Sequence, residues 1–178
     1  MAKIVETGDG NAGGGAGGTE GENYTNIELK EKYDRDISKD LTTSYQIRKS
    51  DNPIVFINIT GNSNSIEITT AVEVLRATFS LVESVPPGII YKNLNIWVGN
   101  YGYATPENIK HTEIIFKVPV SWMESNNIDP ESIELLHYDG VWRSLTTKKI
   151  SENKGEFLYE AVTESFSQFA IRGKKAEV

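Results

Sequence analysis

The sequence contains no cysteine, no long apolar run and no cluster of basic residues, and each absence excludes a class of function. Without cysteine the fold depends on burial rather than on disulfides, and both thiol chemistry and cysteine-ligated metals are excluded. No segment approaches the roughly 20 apolar residues that a membrane-spanning helix needs. The net charge is −7, and no run of lysine or arginine is long enough to follow a phosphate backbone, so we do not expect nucleic acid as a partner.

Motifs of common enzyme classes are also missing. The chain has two histidines, His111 and His137, and neither has a partner at metal-ligand spacing, so we interpret both as structural or surface residues. There is no Gly-x-Ser-x-Gly elbow, no phosphate-binding loop and no His-Glu-x-x-His helix. We therefore predict a protein that is not an enzyme and that has no catalytic residues, no cofactor and no metal site.

Three acidic residues, Asp34, Asp36 and Asp40, lie close together in the sequence. They lack the glycine and the terminal glutamate of a calcium-binding hand, so we favour a solvated charged face over a calcium site. An alternative is that Asp34 and Asp36 form the carboxylate pair of a hydrolase fragment. Such a pair should lie in a pocket and titrate abnormally.

Glycine dominates residues 8–21, which have little to bury and lose much backbone entropy on ordering. We predict that residues 1–25 form a flexible leader. The N-terminus lacks the apolar core of a signal peptide. Two interpretations follow: a cytoplasmic protein, or a mature or trimmed fragment of a larger one.

Signals for β-strands become dense from Thr43 onward. Alternating or continuous apolar residues between turn signals predict strands at 53–60, 66–75, 89–98, 112–118, 133–138, 141–147, 156–162 and 167–172. Residues 26–40 fit either a first strand or a short helix. Within 66–75 we expect an apolar face turned to the core (Ile66, Ile68, Val72, Val74) and an exposed polar face (Glu67, Thr69, Ala71, Glu73).

One short helix is expected at residues 119–127, where the alternation breaks. Pro119 suits a first helical turn, and Val120, Trp122 and Met123 share a helical face. We expect Trp122 to close one end of the core.

The whole pattern consists of eight or nine short strands with turns at close intervals and almost no helix. It predicts an immunoglobulin-like antiparallel β-sandwich with one short helix over residues 26–173. The Asp139-Gly140 pair predicts a tight hairpin turn within it. A polar tail follows at residues 174–178.

Two tyrosines are candidate ligand-binding residues. Tyr101 and Tyr103 lie in the glycine-rich segment Gly-Asn-Tyr-Gly-Tyr at residues 99–103. Flat rings in such a loop can stack on a sugar or on a partner protein. The alternative is that both rings pack onto the edge of a sheet.

Two segments match the acceptor pattern for N-glycosylation, which begins at Asn23 and again at Asn58. A used site would be exposed and extracellular. The orientation of Asn58 relative to its sheet decides whether a glycan fits there.

The C-terminal half of the chain contains four separated motifs. They read IFKVPVSW at residues 115–122, NIDP at 127–130, HYDGVW at 137–142 and EAVTESFSQFAI at 160–171. In order and spacing these motifs resemble the PGF-pre-PGF domain of archaeal surface proteins, over approximately residues 52–173.

The resemblance implies a β-rich module near the C-terminus of methanogen and haloarchaeal envelope proteins. In that family a spacer and a Pro-Gly-Phe sorting segment with a membrane helix usually follow, and this sequence ends with neither, which leaves its anchoring open. No catalytic residues are attached to the family. The expected function is therefore a non-enzymatic structural or adhesive module at the archaeal cell surface.

The expected partners are other envelope proteins or copies of the module itself. One alternative is a module that binds glycans or proteins through Tyr101 and Tyr103. Another is an accessory domain of a surface hydrolase.

Overall fold

Eleven strands in two antiparallel sheets make up most of residues 22–177, the part of the chain that this computed structural model describes. The first sheet has six strands in the order β1-β4-β5-β11-β7-β8, and the second has five in the order β2-β3-β6-β10-β9. The strands are β1 (Ile27–Ile37), β2 (Thr42–Gln46), β3 (Ile54–Gly61), β4 (Ser65–Leu75), β5 (Ile89–Val98), β6 (Ile109–Pro119), β7 (Glu134–Tyr138), β8 (Trp142–Ser144), β9 (Thr147–Glu152), β10 (Glu156–Val162) and β11 (Gln168–Gly173).

The prediction of an all-β, immunoglobulin-like sandwich with one short helix is confirmed by this two-sheet architecture. The inward residues follow period two, as expected for strands with one face on a core. Leu94 and Ile96 of β5 face Ile114 and Phe116 of β6 in one continuous apolar cluster, and all four are fully buried. The ambiguous segment 26–40 is a strand, β1, at the edge of the six-stranded sheet.

The chain enters and leaves the six-stranded sheet at the same end. Ile27 at the start of β1 pairs with Leu75 at the end of β4. Gly173 at the end of β11 pairs with Ile89 at the start of β5. We call this end of the sheet the proximal end, and the opposite end, which carries the loops at residues 38–41, 62–64 and 99–108, the distal end.

The single helix, α1, spans Val120–Ser125 and confirms the prediction at 119–127, although it is shorter. Pro119 precedes it as the N-cap residue. Trp122 is half-buried and packs on the core and on Tyr91, with 5.0 Å between ring centroids, while Met123 is the buried residue of the helix. Among residues 22–177 no helix is long and apolar enough to cross a membrane.

The predicted hairpin is present between β7 and β8. Gly140 has a φ of 99°, whereas Asp139 has no positive φ. The three-residue loop therefore needs only one left-handed position, which glycine supplies, and it is not the primed two-residue turn that the Asp-Gly pair suggested.

The prediction that one face of residues 66–75 is exposed to solvent is wrong. Glu73 and Ala71 are fully buried, and Ile66, expected in the core, is 80% exposed. At the start of the strand Glu67 adopts a φ of 51°, and the pairing of β1 with β4 shifts register there, so Ile66 does not continue the inward row.

Glu73 and Ala71 are buried because another part of the chain covers the outer face of β4. Residues 76–88, which we call the covering segment, cross the outer face of the six-stranded sheet. The indole Nε1 of Trp142 on β8 donates to the carbonyl of Ser84 at 2.9 Å, so the segment reaches from β4 to the opposite edge of the sheet. A sheet face that looks solvated from its sequence is therefore covered by the protein itself.

The folded unit extends beyond both boundaries expected from the sequence. Of the predicted leader, residues 1–21 lie outside the described residues, but Glu22 is buried and accepts hydrogen bonds from the amide and hydroxyl of Ser80 at 2.7 and 2.8 Å. In the predicted tail, Lys175 pairs with Ile128, and the amide of Ala176 donates to a carbonyl beside the helix. Isolated polar contacts of this kind leave no periodic signal in a sequence.

Candidate functional site

The distal end is a set of loops that hydrogen bonds tie to one another. The amide of Asn62 donates to the carbonyl of Asn108 at 2.8 Å, and its side chain donates to the carbonyl of Pro106 at 2.9 Å. The amide of Lys39 donates to the side chain of Asn64 at 2.9 Å. Because these bonds join all three distal loops, they present one fixed surface.

The two candidate tyrosines of this surface differ in exposure. Tyr101 is 68% exposed. Tyr103 packs against the core, and its ring lies so close to Gly99 that a Cβ there would come within 2.5 Å of it. The structure therefore separates the pair: Tyr101 is available to a partner, and Tyr103 takes the packing role that was the alternative. Leu41 and Ile66 are further exposed apolar side chains at this end.

The two glycosylation candidates also lie in different surroundings. Asn23 is exposed, and its side-chain oxygen accepts from the amide of Thr25 at 3.1 Å at the start of a short 3₁₀ turn. Asn58 is half-buried within β3, between Ser44 of β2 and Glu113 of β6. A glycan on Asn58 would have to rise from the middle of a sheet, so Asn23 is the more accessible of the two predicted sites.

The acidic residues of β1 form hydrogen bonds that shape the sheet edge. Asp34 accepts from the hydroxyl of Thr69, and Asp36 accepts from the amide of Glu67 at 2.9 Å. They line an open groove of about 630 Å³, whereas Asp40 lies outside it. Among residues 22–177 no group of three or more histidine or acidic side chains is arranged to hold a metal ion. The hydrogen bonds of Asp34 and Asp36 hold β4 in place where its pairing with β1 shifts register.

His137, one of the two histidines, is part of the core. It is buried, its ring lies 4.7 Å from that of Phe169, and its Nε2 is 2.7 Å from the hydroxyl of Ser167. Ser167 donates its own hydroxyl proton to the carbonyl of Tyr138. His137 Nε2 therefore carries the proton and donates to Ser167, and burial lowers the pKa of His137, which favours the neutral ring. His111 is exposed.

Sequence reasoning missed a polar row on the outer face of the six-stranded sheet, in which two residues are buried and Lys30 is 37% exposed. Lys30 on β1 pairs with Glu73 on β4, which pairs with Asn95 on β5. Glu73 and Asn95 are both 0% exposed. Within the described residues, neither carboxylate oxygen of Glu73 and neither side-chain polar atom of Asn95 has a hydrogen-bond partner. Buried polar atoms without partners are rare in native proteins, and each one requires an explanation.

Charged groups on two sides of Glu73 act on its pKa in opposite directions. The amine of Lys30 lies 3.7 Å from Glu73 Oε1 and 5.1 Å from the ring centroid of Trp97 on β5. Burial raises the pKa of Glu73, and the nearby charge of Glu22 raises it further, while Lys30 acts in the opposite direction. Burial dominates, so the protonated form of Glu73 is favoured relative to a free glutamate.

No protein-family model matches this chain, and no similar protein is found among curated proteins. The resemblance to the PGF-pre-PGF domain rests on the four sequence motifs. In the structure, residues of these motifs have clear packing and turn roles. Trp122 packs on Tyr91, Asp129 accepts from the amide of Glu131 at 2.9 Å to begin a short 3₁₀ turn, and Gly140 closes the hairpin.

Proposed function

We propose that this domain is a non-enzymatic structural or adhesive module of an archaeal cell-envelope protein, located outside the cell. It acts as a stalk, a spacer or an interaction domain, and its partners are other envelope proteins or copies of itself. The archaeal surface location is based on the resemblance of residues 52–173 to the PGF-pre-PGF domain.

The observation that carries the structural part of the proposal is the placement of the chain ends. Ile27, the first residue of β1, and Gly173, the last residue of β11, both lie at the proximal end of the six-stranded sheet. Chain attached to either side of the domain therefore joins it at one end. The distal loops, with Tyr101 exposed among them, point away from the attachment.

The location can be tested on intact cells. We would express the full chain, in its natural gene context, in a haloarchaeal or methanogen host and treat the cells with a membrane-impermeant amine-reactive label. Exposed lysines should be labelled before lysis, and a cytoplasmic marker protein should not. Labelling of the domain only after lysis would contradict the proposed location.

A binding role for Tyr101 is a second candidate, favoured by its exposure among the fixed distal loops. We would compare the wild type with Tyr101→Ala on a glycan array and by sedimentation across concentration, which detects self-association. Tyr24→Ala is the matched control, since Tyr24 is also exposed but lies in the 3₁₀ turn before β1. Binding or association lost only in Tyr101→Ala supports this role. Signals equal in all three proteins, or absent from all, favour a spacer.

A further inference from the structure

Three side chains of complementary reactivity lie in one row across the sheet, two of them buried and one, Lys30, 37% exposed. A lysine amine is a nucleophile when it is neutral, the carboxamide carbon of asparagine is an electrophile, and a carboxyl group can move protons between them. Lys30, Glu73 and Asn95 provide these groups in this order across three neighbouring strands.

The distances permit Lys30 and Asn95 to meet. Adjacent strands are about 4.8 Å apart, so two strands separated by one lie about 10 Å apart, which an extended lysine and an asparagine side chain together can span. The amine of Lys30 extends over β4 toward β5, because it lies 3.7 Å from Glu73 Oε1 and 5.1 Å from the ring centroid of Trp97 on β5. Ala71, the β4 residue next to Glu73 on this face, has only a methyl group and leaves room for that path.

The surroundings of the three side chains differ. Glu73 and Asn95 are fully buried, whereas the side chain of Lys30 is 37% exposed and brings its amine to the buried Glu73 from the edge of the sheet. Glu22, itself buried, anchors the covering segment through Ser80. Burial disfavours the anion of Glu73, and the amine of Lys30 lies 3.7 Å from its Oε1, close enough for a proton to pass between them.

We propose that Lys30 and Asn95 are joined by an intramolecular amide bond that the folded chain forms by itself, with Glu73 as the proton carrier. Glu73 takes a proton from the lysine ammonium, and the neutral Nζ attacks the Cγ carbon of Asn95. Nζ loses a second proton as the new amide forms; this proton passes to the departing nitrogen, which leaves as ammonia, and Glu73 keeps the first proton. One C–N bond forms, one C–N bond breaks, and one ammonia molecule leaves, so the step needs no oxidant and no co-reactant.

The other charged groups near the row have supporting positions. Lys32 lies on the same face one row further along β1, opposite Ala71, and burial lowers its pKa. It is the competing amine, but Lys30 is the lysine in register with Glu73. Glu22 adds negative charge near Glu73 and favours its protonated form. Neither residue has a bond to Asn95.

The direct test is the intact mass of the full chain, purified under native conditions and measured by mass spectrometry. The wild type is expected to be lighter than its sequence by one ammonia molecule, and a protease digest should contain a branched peptide that joins Lys30 to Asn95. A folded wild type with its full sequence mass, after prolonged incubation, would overturn the proposal.

Variants separate the roles of the three residues. Lys30→Ala, Asn95→Ala and the isosteric Glu73→Gln should each have the full sequence mass. Asn95→Asp should lose one water instead of one ammonia, because a carboxylic acid then takes the place of the carboxamide. Lys32→Ala is the matched control and should keep the wild-type mass loss. Loss of the linkage in Lys32→Ala but not in Lys30→Ala would contradict the assignment.

Circular dichroism of every variant shows whether it is folded. A variant that does not fold is replaced by its conservative partner, Lys30→Arg for Lys30→Ala, which keeps the charge but has no attacking amine. If folded Lys30→Arg is still lighter than its sequence by one ammonia molecule, the proposal is wrong.

Discussion

At the scale of single residues, Glu31 shows how one buried carboxylate holds a turn in place. It is almost fully buried on β1 and accepts hydrogen bonds from the amides of Arg48 and Lys49, both at 3.0 Å, and from the side chain of Asn52 at 2.8 Å. The hydroxyl of Tyr33 also donates to it, and burial together with this bond raises the pKa of Tyr33 to about 12.

Replacing Glu31 by alanine should lower the free energy of unfolding by about 2–4 kcal/mol. The change leaves several buried donors without an acceptor, and each costs more than an ordinary hydrogen bond contributes. Glu28→Ala is the control, because Glu28 is an exposed residue of the same strand that pairs with Lys92 at the surface. Denaturant unfolding measures both, and equal effects would contradict the role assigned to Glu31.

His137 gives the domain a pH dependence of known sign. Its pKa is lowered in the folded state from an ordinary value of 6.5, because burial disfavours the charged ring. The folded form therefore binds fewer protons than the unfolded form, and stability should be constant above pH 6.5 and fall as the pH drops below it.

Thermal melts between pH 8 and pH 5 test this dependence. His137→Gln should flatten the decline below pH 6.5, because the variant has no ring to protonate. If His137→Gln keeps the wild-type slope, another group is responsible.

At the scale of elements, the covering segment is the feature that converts an outer sheet face into a second buried layer. Phe79 is its buried aromatic side chain, while Leu81 of the same segment is exposed. Phe79→Ala should destabilise the protein by about 3–5 kcal/mol, since a large aromatic leaves a cavity. Leu81→Ala should change stability by less than about 0.5 kcal/mol. Unfolding followed by tryptophan fluorescence reports both effects, because Trp142 contacts the segment.

The sequence predicts elements well where one face alone is apolar. Leu94, Ile96 and Val98 of β5 alternate as expected and are buried. Glu73 and Asn95 alternate equally well on the other face, yet they are buried too. Their burial depends on where residues 76–88 pass, and a non-repeating segment leaves no periodic pattern from which its path could be derived. For this reason the sequence does not predict that Glu73 and Asn95 are buried together.

At the scale of the whole molecule, the proposed Lys30–Asn95 bond would close a long loop of chain, from residue 30 to residue 95. A cross-link of this span lowers the entropy of the unfolded chain and is worth about 4 kcal/mol, by analogy with disulfides. The wild type should therefore melt at a higher temperature than Glu73→Gln, although Gln has nearly the same shape. Equal melting temperatures of the linked wild type and the unlinked Glu73→Gln would contradict the stabilising role.

The sandwich class is predictable from the sequence, but the strand order is not. The two layers follow from many short alternating segments, which can bury their apolar faces only against another sheet. The strand neighbours β1 with β4 and β5 with β11 are distant in sequence, and their register depends on contacts such as that of Leu94 with Phe169. The placement of both chain ends on one side, and thus of Tyr101 on the other, follows from this order.

That placement has a mechanical consequence. Tension applied through both chain ends would pull on β1 and β11 from the same side of the sheet. The hydrogen bonds between strands would therefore break one after another instead of resisting together in shear. A covalent tie at Lys30, near the start of β1, would stop this peeling almost at once. The force would then pass to β5, which is held by β4 on one side and β11 on the other.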